Sequence, residues 1–276
     1  MSIEKQNIAK NAIENVKTLG AGSTEMTGYI TENKPDIPYI EIRFFTKAAI
    51  KLLFSDQKTE GQTKAIQTQR FIHGADWFNS KMENILDAIR ADDPFADQAL
   101  MNIEDAITEL GNNLEIIKTD LINRMNLRLQ ANNATAIFNE NMHCESIHIT
   151  YKNRISYELL WLLKQVDDVF YYLYLCDKYA IMDAIEVREI RDSTRTKFRS
   201  CMTIINDWTP TSISREDMAQ NTKRVAIAWK NNARIGLTQE VLMMTRRAKT
   251  SPLIPVRRQN VLDPDTAQKL RALYKF

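Results

Sequence analysis

The chain is poor in the residues that build tight turns and reactive sites. Of its 276 residues only 7 are glycine and 7 proline. That scarcity argues against a sheet-rich fold with many turns and against glycine-rich phosphate loops. No Gly-x-Ser-x-Gly, Walker-type or Gly-x-Gly-x-x-Gly motif occurs, so the common acyl- and phosphate-transfer signatures are missing. The three cysteines, Cys144, Cys176 and Cys201, are far apart with no Cys-x-x-Cys pair. They read as reduced, partly buried thiols of a cytoplasmic protein. Of the three histidines, His143 and His148 lie near Cys144, but this set lacks the fourth ligand of a tetrahedral zinc site. No metal or other cofactor is expected. The greasiest segment, LLWLL at 159–163, is followed by Lys164, Asp167 and Asp168. Nothing approaches the roughly 20 apolar residues that span a bilayer. The N-terminus has no apolar stretch like that of a signal peptide. Asp92-Asp93 and Asp167-Asp168 could form paired carboxylates. Plainer roles are at hand, at a proline helix start and on a helix's polar stripe. The expectation is a non-enzymatic protein with no membrane partner.

What is present points to a large helical core. Hydrophobic residues make up 44 % of the chain and charged residues 26 %, enough to bury a core and too apolar for disorder. The formal net charge is +2, yet it is unevenly spread. From Arg215 onward there are 13 Lys and Arg against 5 Asp and Glu, leaving the first 214 residues acidic. A basic C-terminal region suits an anionic partner, and it equally suits an ordinary solvated surface.

Residues 1–36 read as a short helix and a polar loop. In PYIEIRFFT, 38–46, apolar Ile40, Ile42 and Phe44 alternate with Glu41, Arg43 and Phe45, a strand period, and a short helix follows at once. Ser80 with Glu83 has capping-box spacing and predicts a helix to about Ala91. Asp93-Pro94 predicts a second start, with proline where its missing N–H costs nothing. That helix reaches about Ala131. Its Ile103, Ile107, Leu110, Leu114, Ile117 and Leu121 form a heptad seam. The seam needs a partner: an antiparallel helix of the same chain, or another subunit. A second strand is predicted at about 145–152, then an apolar helix at 155–176 that makes the central core, and an arginine-bearing helix at about 182–205. Ser214 caps a helix expected to run to Gly236, with Met218, Thr222, Val225 and Trp229 on one face. TSPLIPVRRQN, 250–260, reads as an extended linker, and Asp263-Pro264 opens a terminal helix.

A strand with a polar outer face followed directly by helices is the plan of ribbon-helix-helix DNA readers, whose strands pair across a dimer and enter the major groove. On the second strand the outward set is Ser146, His148, Thr150 and Lys152, short or cationic donors that can reach base edges. Arg154 at the next helix start can meet phosphate. The strand at 39–45 is the rival ribbon. Its outward Glu41 meets phosphate repulsion and Phe45 offers no hydrogen bond, so 146–152 is favoured, with Arg43 as the reserve contact. Arg246, Arg247, Lys249, Arg257 and Arg258 are candidate phosphate contacts.

The stretch FFTKAAIKLLFSD, then AIQTQRFIHGADWFNSKMENILDAIRADDPFADQALMNIEDAI, resembles the AcaB-type transcriptional regulators of conjugative plasmids and integrative conjugative elements. It carries the Thr-x-x-Ala helix start at Thr46 to Ala49 and the Asp-Asp-Pro-Phe-Ala-Asp signature at Asp92 to Asp97. FSDQKTEG, 54–61, departs from relatives that are richer there in His, Gly and Arg. The resemblance implies a DNA-binding regulator of conjugative-transfer genes, more an activator than a repressor. The fold class expected is mainly α with a small β-ribbon, a ribbon-helix-helix-like element within a larger helical body. Three parts are expected: 1–36, a body at 37–210 and a basic helical extension at 211–276. The expected partners are double-stranded promoter DNA and a second copy of the chain, with contact to RNA polymerase left open. The rival function is a helical scaffold or adaptor of a conjugation apparatus.

Overall fold

The computed structural model describes residues 39–54, 73–135, 145–256 and 261–274. The helix predicted near the N-terminus and the loop at 55–64 lie outside them, as do His143, Cys144, Arg257 and Arg258. The described chain is mainly helical with one two-stranded antiparallel ribbon. β1 (Ile40–Phe44) leads into α1 (Lys47–Leu53), followed by α2 (Ala75–Arg90) and α3 (Pro94–Ala131). β2 (Glu145–Ile149) leads into α4 (Arg154–Lys178), then α5 (Ala184–Thr203). The C-terminal part holds α6 (Arg215–Ala219), α7 (Lys223–Asn231), α8 (Gln239–Leu242) and α9 (Pro264–Leu273). Among the described residues no helix is long and apolar enough to cross a membrane.

The 38-residue α3 starts as its sequence dictates: Asp93 accepts from the Phe95 and Ala96 N–H groups at 2.8 and 3.2 Å, and Pro94 fills the first position. The seam residues Ile103, Ile107, Leu110, Leu114 and Leu121 are buried. Their partner lies within the chain, and it is α4. Gly111 faces Leu162 and Gln165, Lys118 meets Asp168 at 3.6 Å, and Cys176 Sγ lies 3.9 Å from the Leu121 carbonyl. Positions rise together, so α3 and α4 run parallel, not antiparallel. The chain order allows this, because β2 lies between the end of α3 and the start of α4. The antiparallel partner of α3 is α5, where Arg124 pairs with Glu186 at 2.7 Å.

Two starts differ from expectation. α2 opens at Ala75 behind Gly74, and Ser80 lies inside it, donating to the Asp76 carbonyl. The apolar face Ala75, Phe78, Met82, Ile85, Ile89 begins before the serine and decides the start. The helix expected from Ser214 to Gly236 is broken. Ser214 and Asp217 form a full capping box on α6, but the chain turns at Gln220–Thr222, with Asn221 at φ +49°, before α7 begins.

The Asp-Asp-Pro-Phe-Ala-Asp signature is structural. Arg215 is completely buried. Its guanidinium donates to Asp92 and Asp97, each at 2.8 Å, and to the Leu242 and Val241 carbonyls at 3.0 and 2.9 Å. Asp92 itself turns the α2–α3 corner with φ +68°, a left-handed conformation that aspartate tolerates better than most residues. Asp97 also accepts from Arg247 Nε at 2.9 Å and from Ser251 Oγ at 2.8 Å. One heptad further on, Glu104 accepts from the Lys249 and Thr250 backbone and the Thr250 hydroxyl. Between them Gln98 and Asn102 hold Thr238 and the Ile235 carbonyl. The start of α3 therefore fastens the C-terminal part by its polar face, while its seam packs on α4. Residues 250–254 are a docked strap rather than a free linker, with Ile254 buried.

Asp93 gives a pH signature. Burial raises its pKa from 3.8 to about 6, against the hydrogen bonds from Ala96, Phe95 and Thr211 and the charge of Arg215. A carboxyl whose folded pKa is raised stabilises the fold fully below its unfolded value. That contribution is lost as pH rises through the folded value. Stability from Asp93 therefore falls between pH 3.8 and about 6, by about 3 kcal/mol at most. Asp93→Asn keeps the N-cap and removes the titration. In urea unfolding, the parent's stability minus that of Asp93→Asn should decrease as pH rises across this window. Parallel profiles would contradict the assignment.

Candidate nucleic-acid interface

The two strands predicted as rival ribbons pair with each other. The register is Ile40 with Ile149, Glu41 with His148, Ile42 with Ile147, Arg43 with Ser146 and Phe44 with Glu145. Directly opposed residues share a face. Ile42, Phe44 and Ile149 are buried beneath the ribbon, while Glu41, Arg43, Ser146 and His148 are exposed above it. The two outward sets thus make one surface. The ribbon closes within the chain because both strands feed helices anchored on the same platform.

Asp167 makes the first anchor. It is fully buried and accepts from the Phe45 and Thr46 N–H groups at 2.8 and 2.9 Å, from the Thr46 hydroxyl at 2.8 Å and from Lys164 Nζ at 2.8 Å. Thr46 in turn caps α1 at Ala49, which explains the Thr-x-x-Ala pattern. Lys164 lies 4.0 Å over the Phe45 ring, and Phe45 stacks on Tyr171 with ring centroids 5.0 Å apart. Asn153 makes the second anchor: it caps α4 at Ser156 and donates to Glu83 at 2.8 Å and Asn79 at 3.2 Å on α2. The sequence pattern predicts a polar-stripe position for Asp167. It is a buried acceptor that fixes the ribbon's exit.

On the outer face, the Arg43 side chain is 72 % exposed, and its Nε is 3.6 Å from the Glu41 carboxylate. The His148 ring lies 4.6 Å from Tyr39. Thr150 is half-buried just past β2 and Lys152 is exposed. Arg154, exposed at the first position of α4, pairs with Glu158 at 3.6 Å. Exposed Lys47 and Lys51 follow the other end of the ribbon on α1. The face is therefore polar, with cations at both ends and one carboxylate that an arginine partly neutralises.

The C-terminal candidates lie elsewhere, against the start of α3. Arg246 pairs with Asp105 at 3.3 Å on the surface, whereas the Arg247 side chain is 11 % exposed and committed to Asp97 and the Pro252 carbonyl. Lys249 is exposed, with its backbone held by Glu104. The basic balance of this region is thus reduced internally at Arg215, Arg246 and Arg247. Among the described residues no cluster of three or more His, Cys, Asp or Glu could hold a metal. The described cysteines, Cys176 and Cys201, are free and buried, and burial pushes the Cys201 thiol up to about 12.

No curated protein and no solved structure matches the chain. A family model described as "Transcriptional regulator AcaB" matches residues 37–255, a span that takes in the ribbon, both anchors and the Arg215 clamp. The chain belongs to the AcaB family of transcriptional regulators.

Proposed function

We propose that this regulator binds promoter DNA sequence-specifically through the outer face of its ribbon and activates conjugative-transfer genes. The observation that carries the reading is the four-residue platform Glu41, Arg43, Ser146 and His148, exposed on a ribbon whose opposite face is locked into the core. A two-stranded ribbon fits the major groove. Arg43 can take a guanine edge bidentately, Ser146 and His148 can reach base acceptors, and Lys47, Lys51, Lys152 and Arg154 can meet the flanking phosphates. Thr150 adds a hydroxyl at the ribbon's end. Arg246 and Lys249, with Arg257 and Arg258 beyond the described residues, are secondary phosphate candidates. One such face spans only a few base pairs, so useful specificity calls for two copies on a two-fold site. The heptad seam that would have served a scaffold is spent on α4, which weakens the adaptor reading. RNA polymerase is the natural further partner of an activator.

A gel shift with the duplex upstream of the protein's own gene tests this. Arg43→Ala and His148→Ala should each weaken specific binding by about 1–3 kcal/mol and relax base preference. Lys152→Ala should weaken all sequences alike. Two protomers per shifted duplex are expected. Parent-like binding by all three variants would remove the ribbon from DNA reading.

A further inference from the structure

The turn that breaks the helix expected from Ser214 to Gly236 creates a second surface of interest. α6 and α7 are two helices joined by the three residues Gln220–Thr222, with Asn221 left-handed between them. This is the connection length of a helix-turn-helix element. Both helices are fixed from behind. The Ser214 capping box closes α6, whose Arg215 is the buried clamp arginine and whose Met218 carbonyl accepts from the Tyr274 hydroxyl of the C-terminal segment. On α7, Val225 and Ala228 are buried, as is Asn232 at its C-cap. Trp229 meets Phe95 edge-on at 5.2 Å and Tyr274 at 5.8 Å, and Asn232 bonds both the N–H and the carbonyl of Thr209.

The opposite face of α7 is uncovered and uniformly non-acidic. Lys223, Arg224, Ala226, Ile227, Lys230 and Asn231 are all exposed, and Ile227 is 59 % exposed. A helical wheel puts them within one arc centred near Lys223 and Ile227. Arg234 continues the face past the helix end. Among the described residues these cations make one marginal ion pair, Arg234 to Asp207 at 3.9 Å, and Arg224 donates to the Ser212 carbonyl at 3.1 Å. An isoleucine in the middle of a ring of cations, on a helix locked along its other side, is a poor design for a purely solvated surface.

We infer that α7 is a second DNA-reading element, separate from the ribbon, whose outer face enters the major groove of a duplex. The residue types fit the groove's chemistry: Ile227 and Ala226 against thymine methyl groups, Asn231 on an adenine edge, and Lys223, Arg224 and Lys230 on phosphates or guanine. A nine-residue helix rises about 13 Å, enough for three or four successive base pairs. Charge complementarity commits the face to a polyanion, and the apolar centre favours base edges over a bare phosphate lattice. The inference rests on the DNA-binding reading proposed above but uses none of the ribbon's residues.

The test uses the full chain and two probes in fluorescence anisotropy: the duplex upstream of its own gene, and a mixed-sequence duplex of about 30 base pairs titrated with salt. The triple variant Lys223→Ala, Arg224→Ala, Lys230→Ala should lose at least about tenfold in affinity for both probes, and its salt slope should flatten by about 2 to 3 units. Ile227→Ser should lose affinity for the upstream duplex alone. A control triple, Arg188→Ala, Lys197→Ala, Lys269→Ala, removes the same charge from exposed positions on α5 and α9 and should change the slope by less than one unit. All variants should melt with the parent, because every altered side chain is exposed. If the α7 triple variant matches the parent, or the control loses as much, the inference is wrong while the ribbon reading stands. If the parent itself binds neither duplex, both fall together.

Discussion

Arg215→Met is expected to be among the most damaging single substitutions in the described chain. It would leave Asp92 and Asp97, 1 % and 0 % exposed at their side chains, without the cation that compensates them. Breaking a buried pair from one side costs about 3–5 kcal/mol, because the remaining charge stays desolvated. Two carboxylates lose their partner here, though Asp97 keeps Arg247 and Ser251. Against total stabilities of about 5–15 kcal/mol the loss is a large fraction, and it corresponds to a fall in melting temperature on the order of 10 °C. Arg215→Lys should recover little. An ammonium cannot reach two carboxylates and two carbonyls with the fixed fork of a guanidinium. Thermal unfolding followed by circular dichroism decides it. A melting point within about 2 °C of the parent would refute the clamp.

Asp167→Ala should have the largest effect on DNA binding of any residue that does not face the ribbon's outer surface. The carboxylate holds the Phe45 and Thr46 amides, the Thr46 hydroxyl and Lys164. Its loss leaves two backbone donors unsatisfied at the point where β1 passes into α1. Each such donor costs about 1–3 kcal/mol. The loss is local, since α3, α4 and α5 pack together without β1. The expected result is a helical circular-dichroism signal close to the parent's, with affinity for the upstream duplex down at least tenfold. Unchanged affinity would separate the β1–α1 junction from function.

Much of this architecture could be read from local signals. Asp93-Pro94 marks the start of α3 and the 4-3-4-3-4 seam its buried face, and strand alternation finds both β1 and β2. What local patterns cannot carry is pairing between distant segments. β1 and β2 each looked like half of an inter-subunit ribbon because about a hundred residues separate them, and nothing in either strand names the other. The parallel packing of α3 on α4 was hidden for the same reason: a heptad seam records that a partner exists, not its direction. By charge alone Arg215 belongs to a basic extension. Its burial had a trace in the sequence, since Asp97 lies among Phe95, Ala96, Ala99 and Leu100, where an aspartate on an apolar helix start needs a cation. Which cation, more than a hundred residues later, was beyond pattern. The break at Gln220–Thr222 is not legible in the sequence because an apolar face continues across it in helical period, and only the left-handed Asn221 interrupts it.

The Arg215 clamp also has a consequence for synthesis on the ribosome. Asp92 and Asp97 precede their arginine by 123 and 118 residues, and the Phe45 amide precedes Asp167 by 122. At translation speeds of about 5–20 residues per second, each acidic or amide half waits on the order of ten seconds for its counterpart. For that interval burying the carboxylates of the α2–α3 corner would leave them with nothing to neutralise them. The nascent corner should therefore stay open until the last quarter of the chain emerges, exposing the apolar start of α3 to chaperones.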